Sequence, residues 1–446
     1  MYDITPSRIF VSDRVLRHQE AVGRLERFLE TVGRSDYEIV EDARIPWMMQ
    51  QPEWRRCTGR VGERAPIDEP VFFFNTFRFD GRYEERIEEV AAGYCDVDRG
   101  LYSARQLWGY RHFNWFNSAQ PDCDVKPNPQ HICRPCWRLN FSPGCVHRCW
   151  YCALEGAMTV GLNIGEYLEE LQRVIEETPW QLTYLADDIS DLLILEPELG
   201  IVRDVAEFFG RQTDPDRYFI IHTKSANVDF LREVDHRGHT IPCWSLAART
   251  QSTEMEALSG TTEQRIEAAA KCQDWGLPVR FKFKPFIPVR GWREEAREMI
   301  RLMFERTRPD NLSMTVLMWM SFDQMTDCID PDRLDPDFVE AAWQYADKLG
   351  EENPRTAPFP PEARCEIYEF LLKEIRAVDS EVPVTLSTES LEVWERMGPL
   401  LGVKPGEYVC GCGPCATPGL KRLEQNAWTI ARQGLPERLR DRTSSA

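Results

Sequence analysis

Two hydrophobic periods alternate along the middle of the sequence, and this alternation constrains the fold more than any other feature. Six apolar runs have the length of buried strands, at 137–145, 181–187, 217–225, 239–247, 279–287 and 311–321. Stretches with helical spacing follow near 164–177, 198–211, 227–236, 261–275 and 292–307. Repeated strand–helix units predict an α/β fold with a parallel sheet. We expect a partial (β/α)6 TIM-type barrel whose ligands lie at the carboxyl ends of the strands.

The regions on either side differ from this pattern. Residues 1–118 contain a helical stretch near 12–34 and the apolar run Val71–Phe74, which predicts an N-terminal accessory region. The barrel is expected over 119–325 and a C-terminal region with a Cys-rich segment over 326–446.

The chain is acidic. Its 446 residues include 73 Asp and Glu against 54 Lys and Arg, a formal charge of −19 that repels phosphate backbones. Nucleic acid is therefore not an expected partner, whereas a cationic substrate would be attracted; solubility alone is the plainer explanation. No signal-like N-terminus and no run of about 18 apolar residues is present, so we expect a cytoplasmic protein without a membrane partner.

Fifteen cysteines in a reducing compartment favour metal ligation or burial over disulfides. Seven are scattered and are expected to be packed thiols: Cys57, Cys95, Cys123, Cys243, Cys272, Cys328 and Cys365. Eight fall into three groups: Cys133 with Cys136; Cys145, Cys149 and Cys152; and Cys410, Cys412 and Cys415.

The group in GCVHRCWYC follows the first predicted barrel strand. Cys145, Cys149 and Cys152 can bind three irons of a 4Fe–4S cluster and leave the fourth iron open. An open metal position is where a cofactor or substrate can coordinate. The alternative is a zinc site completed by His147 or a distant Cys, although His147 and Trp150 are better explained as residues that shape the loop.

The C-x3-C-x2-C spacing at this place resembles that of the radical S-adenosylmethionine (SAM) enzymes. Further segments are similar to the spore photoproduct lyase branch, over about 137–325: Tyr151 before the third Cys, TK in IIHTKS, IPCWSLA, TTEQRIEAAAKCQDWGLPV and FKFKPFIPVRGW. The resemblance implies a SAM-binding 4Fe–4S cluster reduced by flavodoxin or ferredoxin.

The same resemblance implies roles for single residues. Ser190, Lys224 and Ser245 match positions that hold the methionine end of SAM, and Tyr151, which lies beside the cluster, is predicted to be catalytic. An ammonium and two hydroxyls suit an amino-acid carboxylate. Arg290 could reach a cofactor carboxylate or ribose, and a surface turn is the alternative.

Several residues differ from the spore photoproduct lyase pattern, and these differences argue against a function in DNA repair. Asp188 stands where the lyases have a hydrogen-donating Cys, with Asp187 beside it, and Ala153 stands where they have a Tyr. Beyond residue 325 the similarity ends. Two carboxyl groups at the mouth of a barrel can bind ammonium groups or act as a general acid, so both are predicted to be catalytic and to take no part in assembling the cluster. An N-cap or a salt bridge to Arg is the alternative.

With these carboxyls and its acidity, the chain resembles the radical SAM diol dehydratases of aminoglycoside-antibiotic biosynthesis, which act on paromamine. The resemblance implies a carbon–oxygen lyase with a small cationic sugar as substrate and a separate nicotinamide-dependent reductase acting on the product. A radical SAM lyase or other tailoring enzyme on a different substrate, and a non-catalytic metal-stabilised binding protein, remain as alternatives.

The remaining two cysteine groups predict a second metal centre. CRPC and CGCGPC have ordinary cluster or zinc spacings, and Gly411 and Gly413 let the backbone fold tightly around a metal. An auxiliary iron–sulfur cluster, a structural zinc and free thiols all fit the pattern.

Overall fold

The computed structural model describes residues 2–57, 70–83, 85–86, 104–116, 132–133, 136–152, 156–187, 189–256, 258–350, 357–405, 407–413 and 415–423. Its strands are β1 (Arg8–Ser12), β2 (Glu38–Val40), β3 (Val71–Asn75), β4 (Phe113–Phe116), β5 (Cys136–Leu139), β6 (Ala157–Gly161), β7 (Thr183–Ala186), β8 (Tyr218–Thr223), β9 (Thr240–Ser245), β10 (Arg280–Phe286), β11 (Asn311–Val316) and β12 (Val384–Leu386).

The helices in the same part of the chain are α1 (Gln19–Thr31), α2 (Ile45–Met49), α3 (Pro52–Cys57), α4 (Ala104–Leu107), α5 (Ile164–Glu177), α6 (Ile201–Gly210), α7 (Thr262–Asp274), α8 (Trp292–Arg306), α9 (Phe322–Cys328), α10 (Pro336–Leu349), α11 (Pro361–Val378) and α12 (Leu391–Leu401). No helix among the described residues is long and apolar enough to span a bilayer.

The main sheet has eight strands in the order β12-β11-β10-β9-β8-β7-β5-β4, and only the β4–β5 pair is antiparallel. The six strands expected from the sequence are adjacent and parallel in it, extended by β12 on one side and β4 on the other. The prediction of an α/β fold with a parallel sheet is confirmed. This arrangement brings the carboxyl ends of β5 and β7–β11 to one edge.

A second, four-stranded parallel sheet has the order β2-β1-β3-β6. Strand β6 was not predicted; it follows the Cys145–Cys152 loop and pairs with β3, where Phe72 lies opposite Met158. The N-terminal region therefore shares a sheet with a segment of the predicted barrel. The helix predicted at 227–236 is reduced to a 3-10 turn, Asp229–Glu233, which buries Phe230 and Leu231.

The two faces of the main sheet differ sharply. On one face, Phe219 of β8 stacks on Phe209 of α6 at 5.7 Å between ring centroids, as expected for strands covered by helices. Alternate residues of the strands project from the opposite face, and several of them are polar. We call it the polar face; by register it carries His222, Cys243, Ser245, Lys282 and Ser313.

The Cys-rich C-terminal segment lies at the amino ends of these strands. The Thr183 hydroxyl donates a hydrogen bond to the carbonyl of Gly413, and Asn311 Nδ2 donates to the Val409 carbonyl at 2.7 Å. Arg280 Nη2 donates to the Ala416 carbonyl at 2.5 Å. The segment therefore lies at the edge opposite the loop that follows β5.

Candidate cofactor and metal sites

The loop that carries Cys145, Cys149 and Cys152 begins at the carboxyl end of β5. Its entry depends on Gly144, which has φ of 102° and a close approach to β6. A Cβ at this position would lie 2.1 Å from the carbonyl oxygen of Ala157, so glycine is required there. Further along, the backbone N–H of Trp150 donates to the Met255 carbonyl at 3.0 Å, which connects the loop to the segment after β9.

His147 holds the middle of the loop. Its Nδ1 lies 2.9 Å from the Leu258 carbonyl and its Nε2 lies 2.8 Å from Asp191 Oδ2, in a buried pair. Burial alone would raise the pKa of Asp191, but His147 and N–H donors outweigh it and hold that pKa below its usual range. Both ring nitrogens are occupied, so the structure gives no support to His147 as a zinc ligand.

Lys224, directly after β8, faces the second cluster cysteine. Its Nζ lies 3.5 Å from Cys149 Sγ, 2.5 Å from the Tyr151 hydroxyl and 3.2 Å from Glu256 Oε1. The Tyr151 hydroxyl in turn donates to Glu256 Oε1. Burial raises the pKa of the Cys149 thiol to about 11, although the ammonium of Lys224 opposes this. A positive charge next to this sulfur stabilises a thiolate ligand.

Glu256 balances two buried cations. Besides Lys224 it pairs with Arg265 of α7, which is fully buried, and Arg265 Nη1 also donates to the Ser245 carbonyl at 2.7 Å. Burial raises the pKa of Glu256, but Arg265 and Lys224 outweigh it and lower that pKa to about 2. The carboxylate is therefore ionised at neutral pH. The network links the cluster loop to the carboxyl ends of β8 and β9.

Removing the charge of Glu256 should destabilise the protein strongly. Glu256→Gln leaves Lys224 and Arg265 buried without their carboxylate, a loss of about 3–5 kcal/mol in the free energy of unfolding. Urea denaturation of the metal-free protein measures it. Glu263→Gln is the matched control, because Glu263 pairs with Arg249 at the surface and should cost no more than about 1 kcal/mol. Equal losses in the two variants would contradict this account of the network.

Asp187 lies at the carboxyl end of β7, as predicted, and is buried. Its Oδ2 accepts hydrogen bonds from the backbone N–H groups of Phe141 and Ser142, at 2.7 and 2.6 Å. These residues lead into the cluster loop, so a structural role in ordering that loop is added to the roles predicted for Asp187. Asp188 lies outside the described residues.

The other predicted cofactor residues are placed as follows. Ser190 Oγ lies 3.1 Å from Ser142 Oγ, beside the entry to the cluster loop, and Ser245 ends β9 at the same edge of the sheet. Arg290 is different: its exposed side chain donates to the Asp332 carbonyl at 2.6 Å. The prediction that Arg290 lines the cofactor site is therefore not supported, and the surface-turn alternative describes it.

The three loop cysteines fit an iron–sulfur cluster better than a single ion. Among the residues that the structure describes, no three His, Cys, Asp or Glu side chains converge closely enough to hold one metal ion. The thiolates of a cluster each bind a different iron, so they need not converge on a single ion. The donor set of Cys145, Cys149 and Cys152, with Lys224 beside one sulfur, suits a cluster.

Four other thiols interact electrostatically with Lys282 of the polar face. The largest charge interactions of its ammonium are with Cys412, Cys243, Cys410 and Cys133, which we call the inner thiol group. Cys410 Sγ and Cys412 Sγ are 3.7 Å apart, and all four cysteines are buried. Burial raises the pKa of the Cys243 thiol to about 11, although Lys282 opposes this. Cys133 of CRPC and Cys410 and Cys412 of the C-terminal segment thus interact with the same ammonium.

The membership of this group differs from the prediction. Cys243, expected to be an ordinary packed thiol, belongs to it: a Cβ on Gly411 would lie 3.2 Å from Cys243 Sγ and 2.7 Å from Lys282 Cε. Cys415 instead donates to the Trp180 carbonyl at 3.4 Å. The side chain of Cys136 lies outside the described part of the structure.

Comparisons with known proteins agree with this geometry. Residues 134–325 match the family model described as spore photoproduct lyase. The spore photoproduct lyase of Bacillus subtilis (strain 168) is 27% identical over 198 residues, which cover 43% of this chain and 54% of the relative. That of Clostridium acetobutylicum is 23% identical over 194 residues, covering 42% and 57%. The match thus spans a little over half the length of these curated relatives.

Solved structures of spore photoproduct lyase share the fold. One complexed with dinucleoside spore photoproduct has a TM-score of 0.57 at 15% identity, covering 86% of this chain and 98% of that chain. A mutant with bound AdoMet and dinucleoside spore photoproduct has a TM-score of 0.55 at the same identity and coverage.

The loop with Cys145, Cys149 and Cys152 therefore lies in a segment that is similar to the spore photoproduct lyases. One of the solved lyase structures has AdoMet bound.

Proposed function

We propose that this protein is a radical SAM enzyme that dehydrates a vicinal diol of an aminoglycoside-type sugar in antibiotic biosynthesis. The observation that carries the radical SAM part is the contact of Lys224 with Cys149, Tyr151 and Glu256 at the carboxyl end of β8. It places a buried, charge-balanced network against a loop with three thiols. The dehydratase part rests on the acidic residues that follow β7.

Cys145, Cys149 and Cys152 would hold the cluster, with Ser190 and Ser245 at the same edge of the sheet for the methionine end of SAM. When bound, the cluster and SAM supply a 5′-deoxyadenosyl radical, which removes a hydrogen atom from the substrate. The ammonium of Lys224 places a positive charge next to Cys149. The carboxylate at the methionine end of SAM would compete with Glu256 for this ammonium. Tyr151 positions that ammonium through its hydroxyl and its ring, whose centroid lies 4.8 Å from Nζ.

Dehydration requires a proton at the leaving oxygen. The diol loses a hydrogen atom from one carbinol carbon to 5′-deoxyadenosine. The hydroxyl on that carbon gives up its proton to become a carbonyl, while the neighbouring hydroxyl takes up a proton and leaves as water. The remaining radical is closed by one electron, from flavodoxin or ferredoxin, and one proton. The net change is one diol to one ketone and one water. We assign proton delivery to Asp188, which occupies the sequence position of the donor thiol in the lyases. Asp187 orders the adjoining loop through Phe141 and Ser142.

The negative net charge of the chain supports a cationic amino sugar as substrate, because the electrostatic field of the protein attracts ammonium groups. The polar face itself carries Lys282 and Lys284, so ammonium recognition is assigned to carboxyls at the edge of the sheet.

Flavodoxin or ferredoxin would deliver the electron, and a separate nicotinamide-dependent reductase would consume the ketone. The second candidate is a radical SAM lyase on another substrate, favoured by the match to the lyase family.

A deuterium-transfer experiment tests the proposal. Reconstituted, reduced protein is incubated with SAM and paromamine deuterated at its carbinol carbons. We expect deuterated 5′-deoxyadenosine and a product lighter by one water. The matched control lacks one hydroxyl of the diol and should not release water. Failure to dehydrate the diol, combined with conversion of dinucleoside spore photoproduct, would replace the dehydratase by the lyase alternative.

A further inference from the structure

The side chain of Lys282 is buried on the polar face, where it packs against Gly411. A buried charge is costly unless it is paired, and thiols are the groups that face it most strongly. Neutral thiols do not supply the compensating charge, whereas thiolates bound to a metal centre do.

His222 gives an independent observation at the same place. Its ring lies on the polar face opposite Cys243 in the register of β8 and β9. Its Nε2 is buried and has no hydrogen-bond partner among the residues that the structure describes. Buried polar atoms are nearly always paired, so this nitrogen calls for a ligand or a bound group nearby. Cys412 is among the groups that interact with His222 electrostatically.

The backbone is shaped to bring the thiols inward. Gly411 packs so closely on Lys282 and Cys243 that a side chain there would overlap Lys282. Cys133 follows the bridge in which the Ile132 N–H donates to the Glu389 carbonyl at 2.6 Å. Three separate parts of the chain therefore meet: the segment before β5, strand β9 and the C-terminal segment. A centre bound by all three would link them covalently.

We propose that Cys133, Cys243, Cys410 and Cys412 hold a second iron–sulfur cluster, a 4Fe–4S centre with four thiolate ligands. Each thiol loses its proton on ligation, and iron and sulfide complete the centre. Four ligands occupy all four irons, so this cluster has no open position, unlike the one at Cys145, Cys149 and Cys152. Lys282 compensates part of its negative charge. The inference is independent of the substrate proposed above.

The position of this centre follows from the strand geometry. His222 lies in β8 and Lys224 directly follows this strand, a separation of two residues that corresponds to about 7 Å along an extended chain. The inner thiol group therefore lies one layer below the cofactor edge, toward the amino ends of the strands. A closed cluster there fixes the C-terminal segment against the main sheet.

Metal analysis of variants tests the proposal without any activity assay. The anaerobically reconstituted parent should contain about eight irons and eight sulfides per chain, and the triple variant Cys145→Ala, Cys149→Ala, Cys152→Ala about four of each. Adding Cys243→Ser to the triple variant should remove most of the remaining iron. Adding Cys272→Ser or Cys415→Ser instead should not, because Cys272 lies in α7 and Cys415 contacts Trp180.

Three results would overturn the proposal: an iron-free triple variant, iron that survives Cys243→Ser, or stoichiometric zinc in place of iron. If the fourfold variant does not accumulate, Mössbauer spectra of the triple variant with isotopically enriched iron decide the question. A 4Fe–4S spectrum supports the second cluster. The absence of any cluster spectrum contradicts it.

Discussion

Cys149→Ala should abolish 5′-deoxyadenosine formation, reducing it to the background of protein-free mixtures. Cys149 is the loop sulfur nearest Lys224, and its loss removes an iron ligand and leaves the ammonium facing a methyl group. Liquid chromatography of reactions with dithionite and SAM measures the product. The same outcome is expected for Cys145→Ala and Cys152→Ala, because three thiolates are needed to leave one iron open.

Cys272→Ala is the control for this result. Its thiol is buried in α7 and belongs to neither cysteine site, so cofactor cleavage should stay close to the parental rate. A Cys149→Ala protein that still forms 5′-deoxyadenosine at the parental rate would exclude this loop as the SAM-binding cluster site.

The second large effect is expected at the two carboxyls after β7, and it separates their roles. Asp188→Asn should lower dehydrated product by about 100- to 10,000-fold, the usual value of a positioned general acid, while 5′-deoxyadenosine formation and iron content remain near parental. Asp187→Asn should instead lower iron content together with product. Its Oδ2 accepts two N–H groups of the turn into the cluster loop, and hydrogen bonds to a charged group contribute about 1.5–3 kcal/mol each.

The contrast between the variants is the informative result. If Asp188→Asn forms product at the parental rate, Asp188 is not the proton donor and the dehydratase proposal loses its main residue. If Asp187→Asn retains full iron content, its hydrogen bonds to Phe141 and Ser142 do not order the loop. Product, 5′-deoxyadenosine and iron are measured on the same preparations.

The fold was predictable where periodicity is strong. Strands β7 to β11 fall within their predicted ranges because each buried run is bounded by loop residues, and the amphipathic helices follow the 3.6-residue period. Strand β6 was missed because its pairing is with β3, far away in the sequence, and no local pattern specifies it. The prediction of a helix near 227–236 was wrong, because a single 3-10 turn is enough to bury its short apolar stretch.

The candidate site was predictable only where spacing carries information. The loop cysteines are close in sequence, so their spacing indicates a shared metal. Glu256 and Arg265 were missed because their importance comes from the pairing of Glu256 with both Lys224 and Arg265, and isolated charged residues usually lie at the surface. Cys243 was missed for a similar reason: a lone Cys in an apolar strand looks like packing, and only the packing of Gly411 against both side chains places it near Lys282.

Reductive cleavage of SAM by the parent protein tests the central claim most directly. Protein reconstituted anaerobically with iron and sulfide, then reduced in the presence of SAM, is analysed for 5′-deoxyadenosine and methionine. The account predicts equal amounts of the two products, dependent on reductant and absent in the Cys145→Ala, Cys149→Ala, Cys152→Ala variant. Iron-loaded parent protein that forms neither product under these conditions would contradict it.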